Sequence, residues 1–382
     1  MEINNLLKIM VEKEASDLYL TAGSPPVYRI EGVMQAIGDH AFNGEELETF
    51  AKTAMNEKQW HDFSERLEMD LVIVISVPNL SRFRVNVFRQ RGSIGLVIRK
   101  IRYEIKTIEE LGLPPILGKL AVLKRGLILV VGATGTGKST TLAAIINERN
   151  SYDAGHIITI EDPIEFVHRH KKCLVNQREL GFDTHSFADA LKRAVRQAPD
   201  VVVIGEIRDT DSMQAAITFA DTGHLCLATM HSANATQAFE RILNFFPDSR
   251  HPQIFMQLSL NLRAIVSQRL IPTLDEKKRV AAVEVLVDTP RIKDLIKSGD
   301  IGSLQDGMEH GIHEGCQTFD QALFTLYQEG RISLEQALAN ADSTNNLRLK
   351  IKLEDLKDKP EEKTLQLKKA FGVRKEPTAR MI

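Results

Sequence analysis

Apolar and polar positions follow two different patterns along the 382-residue chain. In the first part, an opening helical pattern is followed by short runs such as LVIVISV (71–77) and FRVNVFRQ (83–90), in which apolar and polar residues partly alternate. Such alternation is typical of half-buried β-strands. The pattern therefore predicts a small α+β domain over residues 1–105.

From residue 127 onward, apolar runs of four or five residues alternate with helical stretches. The runs cover residues 127–131, 157–160, 201–204 and 225–229. Strands that are apolar on both faces must be covered by helices on both faces, and this arrangement is typical of parallel sheets. We therefore predict an α/β core with a doubly wound, mostly parallel sheet over residues 127–288.

The remaining segments differ from both patterns. Residues 106–126 contain a Pro pair and glycines that prevent one continuous helix, so we expect a linker there. Residues 289–346 have a helical pattern. From Leu347 to residue 382 the chain is highly charged with few large apolar residues, and we expect a disordered tail without a packed core. A docking element for a partner is the alternative for this tail.

Composition excludes several classes of protein. The 49 basic and 51 acidic residues give a net charge of -2, so the chain as a whole does not attract nucleic acid or anionic lipid. We find no secretory signal pattern and no run of about 18 apolar residues, and expect a cytoplasmic protein. The cysteines, Cys173, Cys226 and Cys316, are far apart and form no CxxC pair, so we expect reduced, buried thiols without zinc.

The stretch GATGTGKST follows an apolar strand and opens a helix, and it satisfies G-x-x-x-x-G-K-[ST]. Glycine permits the tight turn that points successive N–H groups at one phosphate, which then lies at the positive end of the helix. We expect Lys138 to reach the β- and γ-phosphates of ATP and Ser139 to bind Mg²⁺. The predicted nucleotide-binding residues are Gly132, Ala133, Thr134, Gly135, Thr136, Gly137, Lys138, Ser139 and Thr140.

Two downstream strands end in acidic residues. IITIEDPIEF provides Glu161, Asp162 and Glu165, and DVVVIGEIRD provides Glu206 and Asp209. Because the carboxyl ends of parallel strands meet at one edge of a sheet, these carboxylates are candidates for binding the metal and for orienting water. The alternative is that they cap helices or face solvent.

Two histidines, His224 and His231, bracket the strand sequence LCLATM. Because a strand rises about 3.3 Å per residue, they lie at opposite ends and are not expected to share a metal ion. His231, at the carboxyl end, is expected to sense the γ-phosphate or to hydrogen-bond a catalytic carboxylate. For His224, a buried histidine with satisfied hydrogen bonds is an equal alternative.

The resemblance to a known family is carried by four motifs and by their order and spacing along the chain: GATGTGKST, TIEDPIEF, GEIRD and TGHLCLATMH. Together they resemble the secretion-superfamily hexameric ATPases, and most of all the type IV pilus retraction ATPases of the PilT/PilU family. The opening ASDLYLTAGSPPVYRIEG resembles that family's first-domain signature. Within the family, FPDSRHPQIFMQLSLNLRAIVSQRLIP and ALANADSTNNLRLKIKL are similar to the PilU-type members.

The resemblance implies a RecA-like P-loop ATPase domain with a smaller PAS-like amino-terminal domain and a helical carboxyl-terminal region. It implies that Glu165 is the general base and that Glu206 holds Mg²⁺ through water, although the two roles are interchangeable at this stage. Further residues implied to act at the site are Glu161, His224, His231, Arg84 and Arg99. For the two arginines, a solvated strand face is the alternative.

The implied assembly is a homohexamer at the cytoplasmic face of the inner membrane, at the pilus base. Its ATP hydrolysis would turn a PilC-like platform protein so that pilin subunits leave the pilus. The family motif close to AIRNLIRE is replaced by RIKDLIKS (291–298), where Ile292, Leu295 and Ile296 keep an apolar helix face. The changed polar face favours a motor that works with a PilT-like partner.

Three alternatives remain at this stage. A pilus extension or type II secretion ATPase would usually carry a tetracysteine zinc insertion and a longer amino-terminal region than this chain has. A RecA-like motor on nucleic acid would need a basic stripe with stacking aromatic residues, but only 6% of the residues are aromatic. A ring subunit that binds ATP without hydrolysing it is the third.

Overall fold

The computed structural model describes residues 3–76, 80–101 and 103–358. The chain divides into two compact units. The first contains the described residues up to Ile105 together with the segment Pro163–Arg169. The second contains Lys106–Asp162 and the described residues from His170 onward. The chain therefore returns to the first unit once after leaving it.

The first unit is built on a six-stranded antiparallel sheet with the strand order β3-β2-β1-β6-β5-β4. Its strands are β1 (Asp17–Leu20), β2 (Val27–Ile30), β3 (Val33–Ala36), β4 (Glu68–Ser76), β5 (Leu80–Gln90) and β6 (Ser93–Ile101). Its helices are α1 (Ile3–Glu12), α2 (Gly44–Ala54) and α3 (Glu57–Arg66). The predicted α+β character and the two predicted strand runs are confirmed, with residues 77–79 outside the described part.

Strand β5 separates Arg82 and Arg84 from the core of the first unit. Phe83, Val85 and Val87 are buried, while Arg82 and Arg84 occupy alternate positions on the other face. A period of two places these two sets on opposite sides of the sheet. The core of the first unit therefore lies on one side of β5, and the guanidinium groups lie on the other.

The second unit contains a seven-stranded sheet with the order β13-β12-β7-β11-β10-β8-β9. Its strands are β7 (Gly126–Val131), β8 (Gly155–Glu161), β9 (Cys173–Glu179), β10 (Val201–Ile204), β11 (Leu225–Met230), β12 (Leu262–Pro272) and β13 (Arg279–Val287). All neighbours pair in parallel except β12 and β13, which are antiparallel. The four strands predicted from apolar runs are confirmed.

Helices cover both faces of this sheet. They are α4 (Ile116–Ala121), α5 (Lys138–Tyr152), α6 (Phe187–Ala194), α7 (Thr210–Asp221), α8 (Ala235–Asn244), α9 (His251–Asn261), α10 (Pro290–Ser298), α11 (Leu304–His310), α12 (Phe319–Gln328), α13 (Leu334–Ala339) and α14 (Thr344–Asp358). Leu127 and Leu129 of β7 belong to the core cluster that contains α7 and α8, while Ile128 and Val130 belong to the cluster that contains α4 and α5. The sheet is therefore doubly wound, as predicted.

The segment 106–126, expected as a linker, packs as part of the second unit. It contains α4, and Leu117 and Ala121 of this helix are buried with Ile145 of α5. The Pro pair does interrupt the helical pattern, but it does so at the start of a short helix. Proline is compatible with that position because the first N–H groups of a helix have no partner within the helix.

The carboxyl-terminal region is helical, as predicted, and α10 forms in spite of its changed sequence. The expectation that no packed core exists from Leu347 onward is wrong for the start of that segment. Helix α14 continues to Asp358, and its Leu347 and Ile351 are buried in a cluster with Phe319 and Leu323 of α12. Two apolar residues one helical turn apart fix the helix even though charged residues surround them. Residues 359–382 of the predicted tail lie outside the described residues.

Candidate active site

The loop between β7 and α5 has the backbone conformation that phosphate binding requires. Gly135 and Gly137 have φ angles of 78° and 91°, in the left-handed region that favours glycine. A side chain at Gly132 would meet the Gln268 carbonyl oxygen at 2.8 Å, so this position has no room for one. At the tip, Ala133 and Gly135 are exposed. The loop is therefore closely packed at its base and accessible to a ligand at its tip.

Lys138, the first residue of α5, lies over this loop. Its Nζ donates hydrogen bonds to the carbonyl oxygens of Gly132 and Ala133, each at 2.9 Å. The side chain is buried, and the N-cap residue of α5 is Gly137, which has no side chain that could cap the helix. A positive charge and helical N–H groups thus meet at the same loop, and this arrangement attracts anions such as phosphate groups.

Glu206 and His231 are brought together because they follow neighbouring parallel strands. Glu206 follows β10, and His231 comes directly after β11. The Glu206 Oε1 atom lies 2.6 Å from His231 Nε2. The other carboxylate oxygen, Oε2, lies 2.6 Å from Arg208 Nη2. Both oxygens of Glu206 therefore have a partner that fixes the orientation of the carboxylate.

The surroundings keep His231 neutral at neutral pH. Partial burial lowers the pKa of His231 below its usual 6.5, and the positive charge of Lys138 lowers it further, while Glu206 opposes both effects. A neutral imidazole with a proton on Nε2 donates to the Glu206 carboxylate. Met230, the residue before His231, pairs with Val131 of β7, so the histidine lies at the same edge of the sheet as the predicted phosphate loop.

The acidic residues at the carboxyl end of β8 contribute to the same edge of the sheet. Glu161 Oε1 accepts hydrogen bonds from Thr159 Oγ1 at 2.6 Å and from Gln177 Nε2 at 3.0 Å. Asp162 Oδ2 accepts from Arg208 Nη1 at 3.0 Å. Arg208 therefore bridges Asp162 and Glu206, and its contact with Glu206 raises the pKa of its guanidinium above the usual value.

Three residues predicted for the site belong to the first unit. Glu165 lies in the returning segment Pro163–Arg169, and its side chain is exposed. Arg84 Nη2 lies 3.5 Å from Asp70 Oδ2. Arg99 is 70% exposed, and its Nε lies 2.7 Å from the Oδ1 atom of the buried Asp17. The roles of Glu165, Arg84 and Arg99 stay predictions.

His224 lies away from the Glu206–His231 pair, at the amino end of β11. Its Nδ1 lies 3.3 Å from the Phe219 carbonyl oxygen and 3.1 Å from Thr222 Oγ1. Its ring packs edge-on against Phe219, with 5.7 Å between the ring centroids. These contacts connect α7 to β11, but His224 is only partly buried, and its role stays a prediction.

Sequence reasoning missed the polar residues of β12 and β13 that lie behind the site. Gln268 Oε1 accepts a hydrogen bond from Thr141 Oγ1 of α5 at 2.6 Å, and both residues are buried. Ser267 donates to Glu284 of β13 at 2.8 Å. The available signal was a pair of polar residues inside the apolar stretch LRAIVSQRLIP, since a buried polar residue needs a partner.

The chain was compared with known proteins. The profile of a family described as "Type II/IV secretion system protein" matches residues 1–370. The type IV pilus ATPase PilU of Pseudomonas aeruginosa is 53% identical over 353 residues, which are 92% of each chain. The retraction ATPase PilT of the same organism is 40% identical over 91% of this chain and 100% of its own. A crystal structure of the pilus retraction motor PilT with bound ADP matches with a TM-score of 0.84 and 40% identity, covering 90% of this chain and 98% of that one.

The fold, the phosphate loop and the paired carboxylate at the sheet edge define a P-loop ATPase. The chain belongs to the type II/IV secretion system protein family, and within it to the PilT/PilU group of retraction ATPases. The predicted family, fold class and ATPase activity are confirmed. Among the described residues, no helix has the length and apolar character needed to cross a bilayer.

Proposed function

We propose that this chain is an ATP-hydrolysing motor that powers type IV pilus retraction, and that it works together with a PilT-like partner. The observation that carries the proposal is the Glu206–His231 pair, whose Oε1 and Nε2 atoms lie 2.6 Å apart at the sheet edge from which the loop of Lys138 also projects. The names of the similar proteins, a pilus ATPase and a pilus retraction ATPase, support the pilus as the object of the motor.

The residues Gly132–Thr140 fit the triphosphate of ATP, because glycines shape the loop and the N-cap residue Gly137 has no side chain that would compete for the N–H groups of α5. Lys138, already turned toward the loop, would reach the β- and γ-phosphates. The hydroxyl of Ser139 and, through water, the carboxylate of Glu206 are suitable oxygen ligands for Mg²⁺. When bound, Mg²⁺ neutralises negative charge on the β- and γ-phosphate oxygens.

The chain's own residues would act on water and on charge. Glu165 would accept the proton of the attacking water at a carboxylate oxygen while Glu206 stays oriented by His231 and Arg208. The roles of the two glutamates are exchangeable in this scheme. Arg84 and Arg99, which now contact Asp70 and Asp17, would offset charge at the γ-phosphate.

The proposed assembly is a homohexamer located peripherally at the cytoplasmic face of the inner membrane. Its movement would be passed to a PilC-like platform protein at the pilus base. The polar face of α10 carries Arg291, Lys293 and Asp294 in the stretch RIKDLIKS, which departs from the motif of PilT-type sequences. This departure supports dependence on a PilT-like partner for retraction.

Steady-state ATP turnover of the purified protein tests the proposal, with and without a PilT-like partner. We expect Lys138→Ala and Glu206→Ala each to reduce kcat by about 100-fold or more, because the first removes a cation that stabilises negative charge developing on the phosphate and the second removes a carboxylate proposed to hold Mg²⁺. Lys124→Ala is the matched control, because Lys124 is an exposed lysine whose amine contacts only the surface residue Asp153 among the described partners. It should retain full turnover.

Wild-type turnover that does not exceed that of Lys138→Ala, with or without the partner, would contradict the motor and favour an ATP-binding accessory subunit. Stimulation by nucleic acid that disappears with rising salt would instead favour a motor on nucleic acid. Loss of turnover in Glu165→Gln with retained ATP binding would support Glu165 as the base.

A further inference from the structure

A fully buried carboxylate, Glu284, lies in β13 behind the site. Only 2% of the residue is exposed. Its Oε1 atom accepts hydrogen bonds from Ser267 Oγ at 2.8 Å and from the backbone N–H of Ala235 at 2.7 Å. Ser267 is its direct cross-strand neighbour on β12. One oxygen atom therefore joins the sheet to a residue outside it.

Ala235 is the first residue of α8, so Glu284 holds the start of that helix. The side chain of Asn234 accepts a hydrogen bond from the N–H of Gln237 at 2.9 Å, and Glu284 accepts from the N–H two residues earlier. A carboxylate at a helix amino terminus is also attracted by the partial positive charge there. The start of α8 is therefore held both by Asn234 within its own first turn and by Glu284 of β13.

The same helix start is joined to His231 by a short connection. Ser232, Ala233 and Asn234 separate the two, and Ser232 Oγ donates to the Asn234 carbonyl oxygen at 3.0 Å. The four steps from His231 to Ala235 reach at most about 14 Å, so the start of α8 limits where the backbone of His231 can lie. A shift of the start of α8 would therefore move His231 relative to Glu206.

On the opposite face of β12, a second polar residue contacts α5, the helix that carries Lys138. Gln268 follows Ser267 in the strand and hence points to the other side of the sheet, where it accepts a hydrogen bond from Thr141 of α5. Ser267 and Glu284 thus support the segment that carries His231, and Gln268 supports the helix that carries Lys138. The two supports are adjacent in sequence but separate in space.

We propose that Glu284 is a positioning residue that holds His231 against Glu206 by fixing the start of α8. This inference rests on the role in hydrolysis proposed above for the Glu206–His231 pair. Glu284 therefore affects the hydrolysis of ATP, whereas the binding of ATP depends on the loop that precedes α5. Ser267 contributes by donating to the same carboxylate oxygen.

The test is a double-mutant cycle on ATP turnover with Glu284→Ala, His231→Ala and the double variant. We expect Glu284→Ala to lower kcat by about 10- to 100-fold, the effect of a misplacement near the reacting atoms. Because Glu284 acts through His231, the double variant should be about as slow as His231→Ala alone. The KM for ATP should change less than about twofold, since the phosphate loop has its own support.

Two further variants separate positioning from a loss of folding. Glu284→Gln keeps an oxygen that accepts both hydrogen bonds, so it should restore kcat to within about threefold of the wild type. If Glu284→Ala does not fold, Ser267→Ala takes its place in the test and should also lower kcat. Gln268→Ala is the matched variant on the opposite face, and it should raise the KM for ATP instead.

The outcomes distinguish the two proposals. Full turnover in His231→Ala would overturn both the role of the Glu206–His231 pair and this inference. A slow His231→Ala whose effect multiplies with that of Glu284→Ala would overturn the inference alone. Equal damage to KM and kcat in Glu284→Ala, or failure of Glu284→Gln to restore turnover, would also overturn it.

Discussion

Two glutamates near the site are held in opposite electrostatic environments. Glu206 is partly exposed and lies against Arg208 and His231. Glu284 is buried and accepts hydrogen bonds from the neutral groups of Ser267 and Ala235. Burial raises the pKa of Glu284 to about 7, and these hydrogen bonds offset only part of that effect. The two side chains have the same chemistry, but only Glu206 is paired with a cation.

The raised pKa of Glu284 predicts how stability depends on pH. Between its usual value of 4.5 and the folded value of about 7, the unfolded carboxyl has lost its proton while the folded one retains it. Wild-type stability therefore falls as the pH rises through this window. Glu284→Gln has no proton to lose, so its stability relative to the wild type should increase by about 3 kcal/mol between pH 4.5 and pH 8.

Urea unfolding of both proteins across this pH range would measure the difference. Glu240→Gln, which changes an exposed carboxyl on the same helix α8, is the control. It should give a curve parallel to that of the wild type. Parallel curves for Glu284→Gln as well would contradict the prediction.

At the scale of elements, the sequence was sufficient where one pattern dominated a segment. The apolar runs at 127–131 and 201–204 gave correct strands because burial on both faces requires apolar residues throughout. Strand β9, with Asn176, Gln177 and Arg178 in its sequence, was missed because an edge strand carries polar residues that resemble a loop. Its position becomes evident only when its pairing with β8 is known.

At the candidate site, the sequence likewise indicated the residues that belong to a recognisable local pattern and did not indicate the others. The phosphate loop has a fixed spacing in sequence, and Glu206 and His231 follow strands that could be recognised. Gln268 forms a hydrogen bond with Thr141, which is more than a hundred positions away in the sequence. Glu284 forms one with Ala235, which is about fifty positions away. No local pattern encodes such a pairing, since it depends on the order of strands in the sheet.

Helix α14 allows a prediction about packing. Leu347 and Ile351 are buried, whereas Leu349 and Leu353 of the same helix are exposed. Replacing either buried residue with alanine should lower the free energy of opening α14 by about 2–4 kcal/mol, because apolar contacts are lost and a cavity remains. Leu349→Ala and Leu353→Ala are the matched controls and should change it by less than about 0.5 kcal/mol.

Hydrogen exchange of the α14 amides would measure this opening. Faster exchange confined to the helix in the two core variants is the expected result. Equal exchange in all four variants would show that α14 is not held by its buried leucine and isoleucine.

At the scale of the whole molecule, the similarity to PilU extends over 92% of the chain and hence through both compact units. The cysteines, in contrast, are confined to the second unit at Cys173, Cys226 and Cys316, and all are buried. Burial raises the pKa of each thiol above the usual value, which keeps the reactive thiolate scarce. The reactivity of these thiols therefore measures the opening of the second unit and gives no information about the first.

This distribution predicts how ATP protects the protein. A thiol reagent should label the three cysteines only after the second unit opens, and nucleotide at about 100 times its Kd should slow that labelling by about 100-fold. Ser64→Cys, which places a thiol on the exposed surface of α3, is the positive control and should react at once with or without nucleotide. Labelling of the native cysteines at the rate of Ser64→Cys would contradict the prediction.

The return of Pro163–Arg169 to the first unit has a consequence for how the protein can be divided. The chain leaves that unit after Ile105, comes back at Pro163 and leaves again after Arg169, and Ile164 within the returning segment is buried. A cut near residue 105 would therefore leave Pro163–Arg169 on the fragment that carries the second unit. Neither unit corresponds to one uninterrupted stretch of coding sequence. Any truncation that begins at Lys106 would keep Glu165 and its segment but remove the rest of the first unit.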